Sequence, residues 1–408
     1  MLNLKSVYAT SVNFVRYLLF YSVIGIAIGL ASGLFLVSLK NISEFHLTHA
    51  WLIYFLPFGG LLIGFIYEKS NSEVAKGNNL ILESYQKYQH IPILMAPIVL
   101  ITTLLTHFFG GSAGREGTAV QMGVSLADFL SSTFKIFKTN KKTIILTGIA
   151  SGFASVFGTP ITGIFFAFEL VCFSNVALLA VLPTIYTAYI AYFTVEILGI
   201  HHTNYTLINF PNIDFYSIFW TVIVSVVFGI TALLFSNNLH FWNHFFKKII
   251  AFAPFRPFVG GLVLLGLFLI LDVKFQGLGI EYIQKAFVQK ANNQDFILKL
   301  LLTGLTLGSG FKGGEVTPLF FVGATLGSCL SVFVPLPLSF LAALGFVSVF
   351  AGATHTPIAC SIMAIEMFGF PIAFFALLSC YIAYLFSGKT GIYTSQLICN
   401  QHYKIIKK

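Results

Sequence analysis

Gly114-Arg115-Glu116-Gly117 interrupts a segment that otherwise carries almost no charge. Residues 93–109 upstream are nearly all apolar, and residues 118–131 downstream hold a single charged side chain, Asp128. A carboxylate at membrane depth costs about 2.5–3.5 kcal/mol on insertion scales, so one that is kept there is a functional candidate. Glycine on both sides thins the side-chain packing and lets backbone N–H groups reach a ligand. A carboxylate among backbone amides is an anion stand-in: it occupies an anion site, takes up a proton, and leaves. Those properties suit a gated anion pathway inside a membrane.

The composition around this motif agrees. The chain has 408 residues, 57% hydrophobic and 9% charged, against roughly 25% charged in an average soluble domain. Mean hydropathy is +0.88. The length leaves room for ten or more spans of ~20 residues. No cleavable signal peptide is expected, because the first apolar run, 17–39, is too long for one and lacks a small-residue cleavage site. The net charge of +9 does not point to nucleic acid. Its cations gather in loops and at the end of the chain: Lys135, Lys138, Lys141 and Lys142; Lys247, Lys248 and Arg256; Lys404, Lys407 and Lys408. Under the positive-inside rule they put both termini in the cytoplasm of a multi-pass protein of the cell membrane. Cys172, Cys329, Cys360, Cys380 and Cys399 lie mostly in apolar segments without metal-ligand spacing, so no metal and no cofactor is expected.

Two kinds of apolar run alternate along the chain. Residues 17–39, 51–67, 93–109, 176–198, 216–235 and 257–271 are long enough to span or nearly so. Residues 143–158, 160–172, 318–330 and 357–368 are short and broken by Gly or Pro, which marks part-crossing helices. Backbone that stops inside a membrane must be buried in protein or line a cavity. The short segments therefore outline the functional interior of an all-α polytopic membrane protein.

The chain also repeats itself. Thr159-Pro160-Ile161 with Glu169 returns 197 residues on as Thr356-Pro357-Ile358 with Glu366. Glu116, Thr118 and Gly123 return as Glu315, Thr317 and Gly323, and Gly77-Asn78-Asn79-Leu80 has a looser echo in Gly277-Leu278-Gly279-Ile280. Matches in one order at one spacing divide the chain into halves, residues 1–205 and 206–408. Broken helices at corresponding places in two halves mark a binding site between them, and helix N-termini aimed there favour an anion.

With these motifs assembled, the sequence resembles the CLC family of chloride channels and chloride/proton antiporters over nearly its whole length. The family's GREGP motif is matched by Gly114-Arg115-Glu116-Gly117-Thr118, its GxFxP by Gly314-Glu315-Val316-Thr317-Pro318, its GSGIP by Gly77-Asn78-Asn79-Leu80-Ile81, and its late tyrosine by Tyr393. The chloride-facing serine is replaced by Asn78, the proline after the gate by Thr118, and the GxFxP phenylalanine by Val316. The internal proton glutamate of the antiporters falls on Leu170. This set of departures is similar to the fluoride-exporting branch, the CLC-F type.

The resemblance implies a CLC-like fold of two inverted-topology repeats with the anion site at their interface. It implies a homodimer with one pathway per subunit, and export of fluoride against protons. No C-terminal nucleotide-binding module is expected, since the chain given stops at Lys408. Glu116 is then the protonatable gate, and Thr317 carries protons or holds it. The anion contacts are Gly77, Asn78, Asn79, Gly117, Thr118, Val316 and Tyr393, with backbone N–H groups after Gly117 and Val316 taking part. An Asn amide offers two donors where a Ser hydroxyl offers one, which suits a small, strongly hydrated anion; whether Asn78 or Asn79 faces it stays open. Pairing of Glu116 with Arg115 is disfavoured, since neighbours on a helix point apart. Glu169, Glu366 and Glu315 read as carboxylates at helix ends, and His355 as a satisfied histidine.

Two rival functions remain. A passive chloride or fluoride channel shares the scaffold and is favoured by Leu170. A membrane serine protease rests on Gly110-Gly111-Ser112-Ala113-Gly114, a GxSxG match, paired with His355. The protease is remote, because no strand precedes the match and it leaves Glu116 and the repeat unexplained. The chain is expected not to be an enzyme.

Overall fold

A computed structural model describes residues 4–70, 73–134, 140–205 and 209–397. Lys135, Lys138, Cys399 and the closing lysines lie outside the described residues. The first half runs through α1 (Leu4–Thr48), α2 (Leu56–Lys69), α3 (Asn78–Lys87), α4 (Met95–Phe108), α5 (Glu116–Phe134), α6 (Lys141–Phe157), α7 (Pro160–Leu170) and α8 (Leu178–Ile197). The second runs through α9 (Phe215–Ile249), α10 (Phe255–Phe268), α11 (Ile280–Ala286), α12 (Asp295–Ser309), α13 (Val316–Leu330), α14 (Leu338–Thr354), α15 (Pro357–Phe368) and α16 (Ala373–Phe386). Among the described residues, eight α-helices fall before residue 206 and eight after it.

Among the described residues, four helical segments are long and apolar enough to cross a membrane: Val15–Thr48, Ala50–Lys69, Leu178–Ile197 and Phe215–Ile249. Two expected spans are not among them. Residues 93–109 and 257–271 form the 14-residue helices α4 and α10, about 21 Å long against a ~30 Å hydrocarbon core. α9 instead outruns the expected 216–235, because polar residues beyond Phe235 do not end it: the Asn238 amide donates to the Leu300 carbonyl at 2.8 Å, and the helix continues to Ile249. α14 coincides with none of the expected apolar runs, yet its 17 residues are almost wholly buried.

The interior is assembled through small residues. α5 packs on α6 and α13 on α14. A Cβ on Gly323 would stand 2.1 Å from the Gly345 carbonyl oxygen, so the backbones of α13 and α14 touch directly. Close approach of this kind drives helix association where lipid removes the hydrophobic incentive.

The halves are tied by reciprocal carboxylate caps. Proline opens α7 and α15, which pack together. Glu169 at the end of α7 accepts N–H bonds from Ile358 and Ala359 of α15, at 3.0 and 2.7 Å. Glu366 near the end of α15 accepts from the N–H groups of Ile161 and Thr162 of α7 at 2.9 and 2.8 Å, and from the Thr162 hydroxyl at 2.7 Å. Each glutamate satisfies orphan donors at the start of the opposite helix. Glu169 and Glu366 are carboxylates at helix ends, as expected, and each caps the opposite helix rather than its own.

Candidate anion site

α5 and α13 begin side by side. Just ahead of them Gly114 and Gly314 exchange both backbone hydrogen bonds, at 2.6 and 2.8 Å, an isolated antiparallel bridge between the halves. A Cβ on Gly314 would lie 2.9–3.1 Å from the backbone nitrogens of Gly117, Arg115 and Glu116. Only glycine permits that approach, and it brings two helix N-termini, with their free N–H groups and positive dipole ends, to one place.

Glu116 fills this place. It is the first residue of α5 and 1% exposed. Its carboxylate leaves its own helix for the start of α13: it accepts from the Thr317 hydroxyl at 2.7 and 2.9 Å, the Thr317 N–H at 3.1 Å and the Arg115 N–H at 3.3 Å. Hydrogen bonds to a charged group contribute about 1.5–3 kcal/mol each, which offsets the cost of burying the carboxylate. Arg115 stands closer than expected, with Nε 3.5 Å from Glu116 Oε1. The reason is that Arg115 precedes the helix at a bend, so the rule that helical neighbours diverge does not apply. The contact is not a hydrogen bond, and Nε has no partner of that kind.

Gly117 follows without room for a side chain: its Cβ would meet Asn78 Nδ2 at 3.0 Å and Glu315 Oε2 at 3.2 Å. Asn78 thus borders the site from the first turn of α3, with its buried Oδ1 free of hydrogen bonds. Asn79 differs, since its Oδ1 is taken by the Ser395 N–H at 3.0 Å. Gly77, at φ 59°, caps α3 and faces the Gln121 amide, which sequence reasoning missed. Val316 opens α13 with its side chain in the core. The Thr118 hydroxyl bonds Thr103 Oγ1 at 2.8 Å, so this residue bears on the site through its backbone. Tyr393 is 6% exposed and has no side-chain hydrogen bond among the described residues.

Glu315 is an end-of-helix carboxylate by position only. It precedes α13 without capping it, because Glu116 has taken the Thr317 donors. Its Oε2 is buried without a partner. The proposed protease pair does not form: Ser112 Oγ is bonded to Thr303 Oγ1 at 3.0 Å, while His355, in a left-handed turn at φ 57° after α14, packs edge-on against Tyr384. Its buried Nε2 has no partner, so it is not the satisfied histidine expected.

Comparison with known proteins places this geometry. A profile of the voltage gated chloride channel family matches residues 59–388. The chain belongs to the CLC family. A CLC relative from Pseudomonas syringae pv. tomato, described as a chloride/fluoride channel protein, is 41% identical over 391 residues, 94% of this chain and 86% of the relative. The crystal structure of a CLC-type fluoride/proton antiporter superposes with a TM-score of 0.90 at 35% identity, covering 94% of this chain and 98% of that one. A slow cyanobacterial chloride/proton antiporter shares the CLC fold, with a TM-score of 0.81 at 20% identity over 93% of this chain and 96% of that one. The chain is thus a multi-pass membrane protein of a transporter family, with the all-helical CLC fold expected from its motifs.

Proposed function

We propose that the protein is a fluoride/proton antiporter that exports fluoride, with Glu116 as its protonatable gate. The observation that carries the reading is the Glu116 carboxylate lying across the interface on the Thr317 N–H and hydroxyl. An anion that displaces it meets the same donors, and a carboxylate so displaced becomes free to take a proton. Anion and proton then alternate at one position. Likeness to a fluoride/proton antiporter at 35% identity supports the choice of ions.

On this reading Gly77, Asn78, Gly117, Thr118, Val316 and Tyr393 surround the anion, Asn78 rather than Asn79 supplies the amide, and Thr317 holds the gate. Residues 1–205 and 206–408 act as two membrane repeats, both termini are cytoplasmic, two subunits pair with one pathway each, and the chain catalyses no covalent reaction. The second reading, a passive anion channel, is favoured by buried apolar Leu170 where antiporters keep an internal glutamate. Proteoliposome flux decides through Glu116→Gln. The antiporter predicts that this variant loses proton movement coupled to fluoride. Coupled transport that survives the substitution removes Glu116 from the mechanism.

A further inference from the structure

After α16 the described chain, residues 387–397, forms neither helix nor strand, yet it is tied down on both sides of Tyr393. Before Tyr393 it leans on the second half. A Cβ on Gly391 would stand 2.6 Å from the Ala353 carbonyl oxygen, and the Ile392 N–H donates to that carbonyl at 2.8 Å. His240 of α9 donates from Nε2 to the Gly391 carbonyl at 2.8 Å. After Tyr393 the chain is held by the first half. Ser395 makes three hydrogen bonds to side chains of α3. Its N–H donates to Asn79 Oδ1 at 3.0 Å, its hydroxyl donates to Glu83 Oε1 at 3.1 Å, and its carbonyl accepts from Gln86 Nε2 at 2.9 Å.

Asn79, Glu83 and Gln86 follow one another at i, i+4 and i+7, so they share one face of α3. Glu83 is itself held: Lys76 donates to its Oε2 at 3.1 Å and to Glu73 Oε2 at 2.9 Å, just ahead of Gly77. The transport reading gives Ser395, Glu83 and Gln86 no role. Ordering an irregular segment costs conformational entropy, and a surface loop can satisfy its backbone with water instead. Three bonds gathered on one residue therefore mark a place where position matters. Tyr393 lies two residues before Ser395, and Asn78 directly precedes Asn79. The clasp thus sets the backbone of one proposed anion contact against that of another, across the two halves.

We propose that Ser395 is a positioning residue for anion selection: by clasping α3 it fixes Tyr393, carried by the second half, relative to Asn78, carried by the first. The proposal rests on the reading of those two residues as anion contacts and deepens it. A site that prefers the smaller of two halides needs donors held within a fraction of an ångström by supporting bonds. A loosened clasp lets the walls spread, and the larger chloride then shares the passage.

Fluoride and chloride efflux from liposomes carrying the full chain tests it, with thermal unfolding measured on the same preparations. Ser395→Ala and Glu83→Leu each remove the hydroxyl–carboxylate bond and are expected to lower the fluoride-to-chloride flux ratio about threefold. Glu83→Gln keeps an acceptor oxygen for the hydroxyl and is expected to hold the parent ratio. Because the clasp acts through Tyr393, adding Ser395→Ala to Tyr393→Ala should lower the ratio no further. Parental ratios in both Ser395→Ala and Glu83→Leu, even with a lowered unfolding midpoint, make the clasp structural only and overturn the proposal. So do a Glu83→Gln variant as unselective as Glu83→Leu, an additive fall in the double variant, or an unaltered protein that does not prefer fluoride. Should Glu83→Leu fail to fold, Ser395→Ala, which removes a single oxygen, decides alone. Failure of proton coupling with this shift in ratio intact would count against antiport alone.

Discussion

At the scale of single residues, the proposed function makes the site a competition for donors. The Thr317 hydroxyl reaches both oxygens of Glu116, and its N–H reaches one. Thr317→Val keeps the shape and the N–H but removes the hydroxyl. At about 1.5–3 kcal/mol for a hydrogen bond to a charge, the gate should be held roughly 10–100-fold less firmly. The expected result in liposomes is a faster fluoride leak carrying fewer protons per ion; an unaltered coupling ratio would remove the hydroxyl from the account. Asn78 and Asn79 separate cleanly, because the Asn79 Oδ1 is already bonded to Ser395 while Asn78 Nδ2 borders Gly117. Asn78→Ser is expected to lower the fluoride-to-chloride flux ratio by about tenfold, equivalent to ~1.4 kcal/mol, or one lost donor. Asn79→Ser should change it far less. Equal effects would contradict the assignment. The motifs made Glu116, Thr317 and Asn78 legible because each stands beside glycine or proline in a fixed pattern. Glu315 was legible as a motif residue but not as a carboxylate left without a partner, and Gln121 was not legible at all: what each meets comes from how the helices pack, which no local spacing encodes.

At the scale of elements, the work is done by helix starts and small residues. The caps supplied by Glu169 and Glu366 link α7 to α15 in both directions. Glu169→Ala and Glu366→Ala each leave helix N–H groups unpaired, at about 1–3 kcal/mol. Thermal unfolding in detergent should show a lowered midpoint for both, and an unchanged midpoint would mean that water replaces the carboxylates freely. The Gly323–Gly345 contact is less forgiving. Gly345→Leu forces α13 from α14, at about 1–3 kcal/mol or more, and α13 carries Thr317. Loss of monodisperse protein on size exclusion is expected, and normal yield and melting would contradict the packing described. Element boundaries were only partly readable. Apolar runs mark where a helix is greasy, not where it stops, so α9 continues through Ser236, Asn237 and Asn238. α10 ends early for the opposite reason, its apolar residues running on past the last helical turn, while α4 starts two residues inside the expected run, at Met95.

At the scale of the whole molecule, two halves of like sequence meet so that their corresponding helices, α5 and α13, start at one point. The repeat was visible in the sequence through Thr-Pro-Ile and the paired glutamates, and it carried the fold. What it left open was which group of one half lies on the other, since that depends on the Gly114–Gly314 bridge. The bridge lets a side chain of one half occupy the helix start of the other, and the proposed exchange between a carboxylate and an anion rests on that. The most direct test is made with purified protein in liposomes loaded with fluoride at equal pH on both sides. Outward fluoride flow should drive protons into the liposomes, acidifying the lumen with no other gradient present, and should continue when potassium and valinomycin clamp the voltage at zero. Fluoride efflux that leaves the internal pH unchanged under that clamp would mean a passive pore, and would contradict the exchange of anion and proton at Glu116.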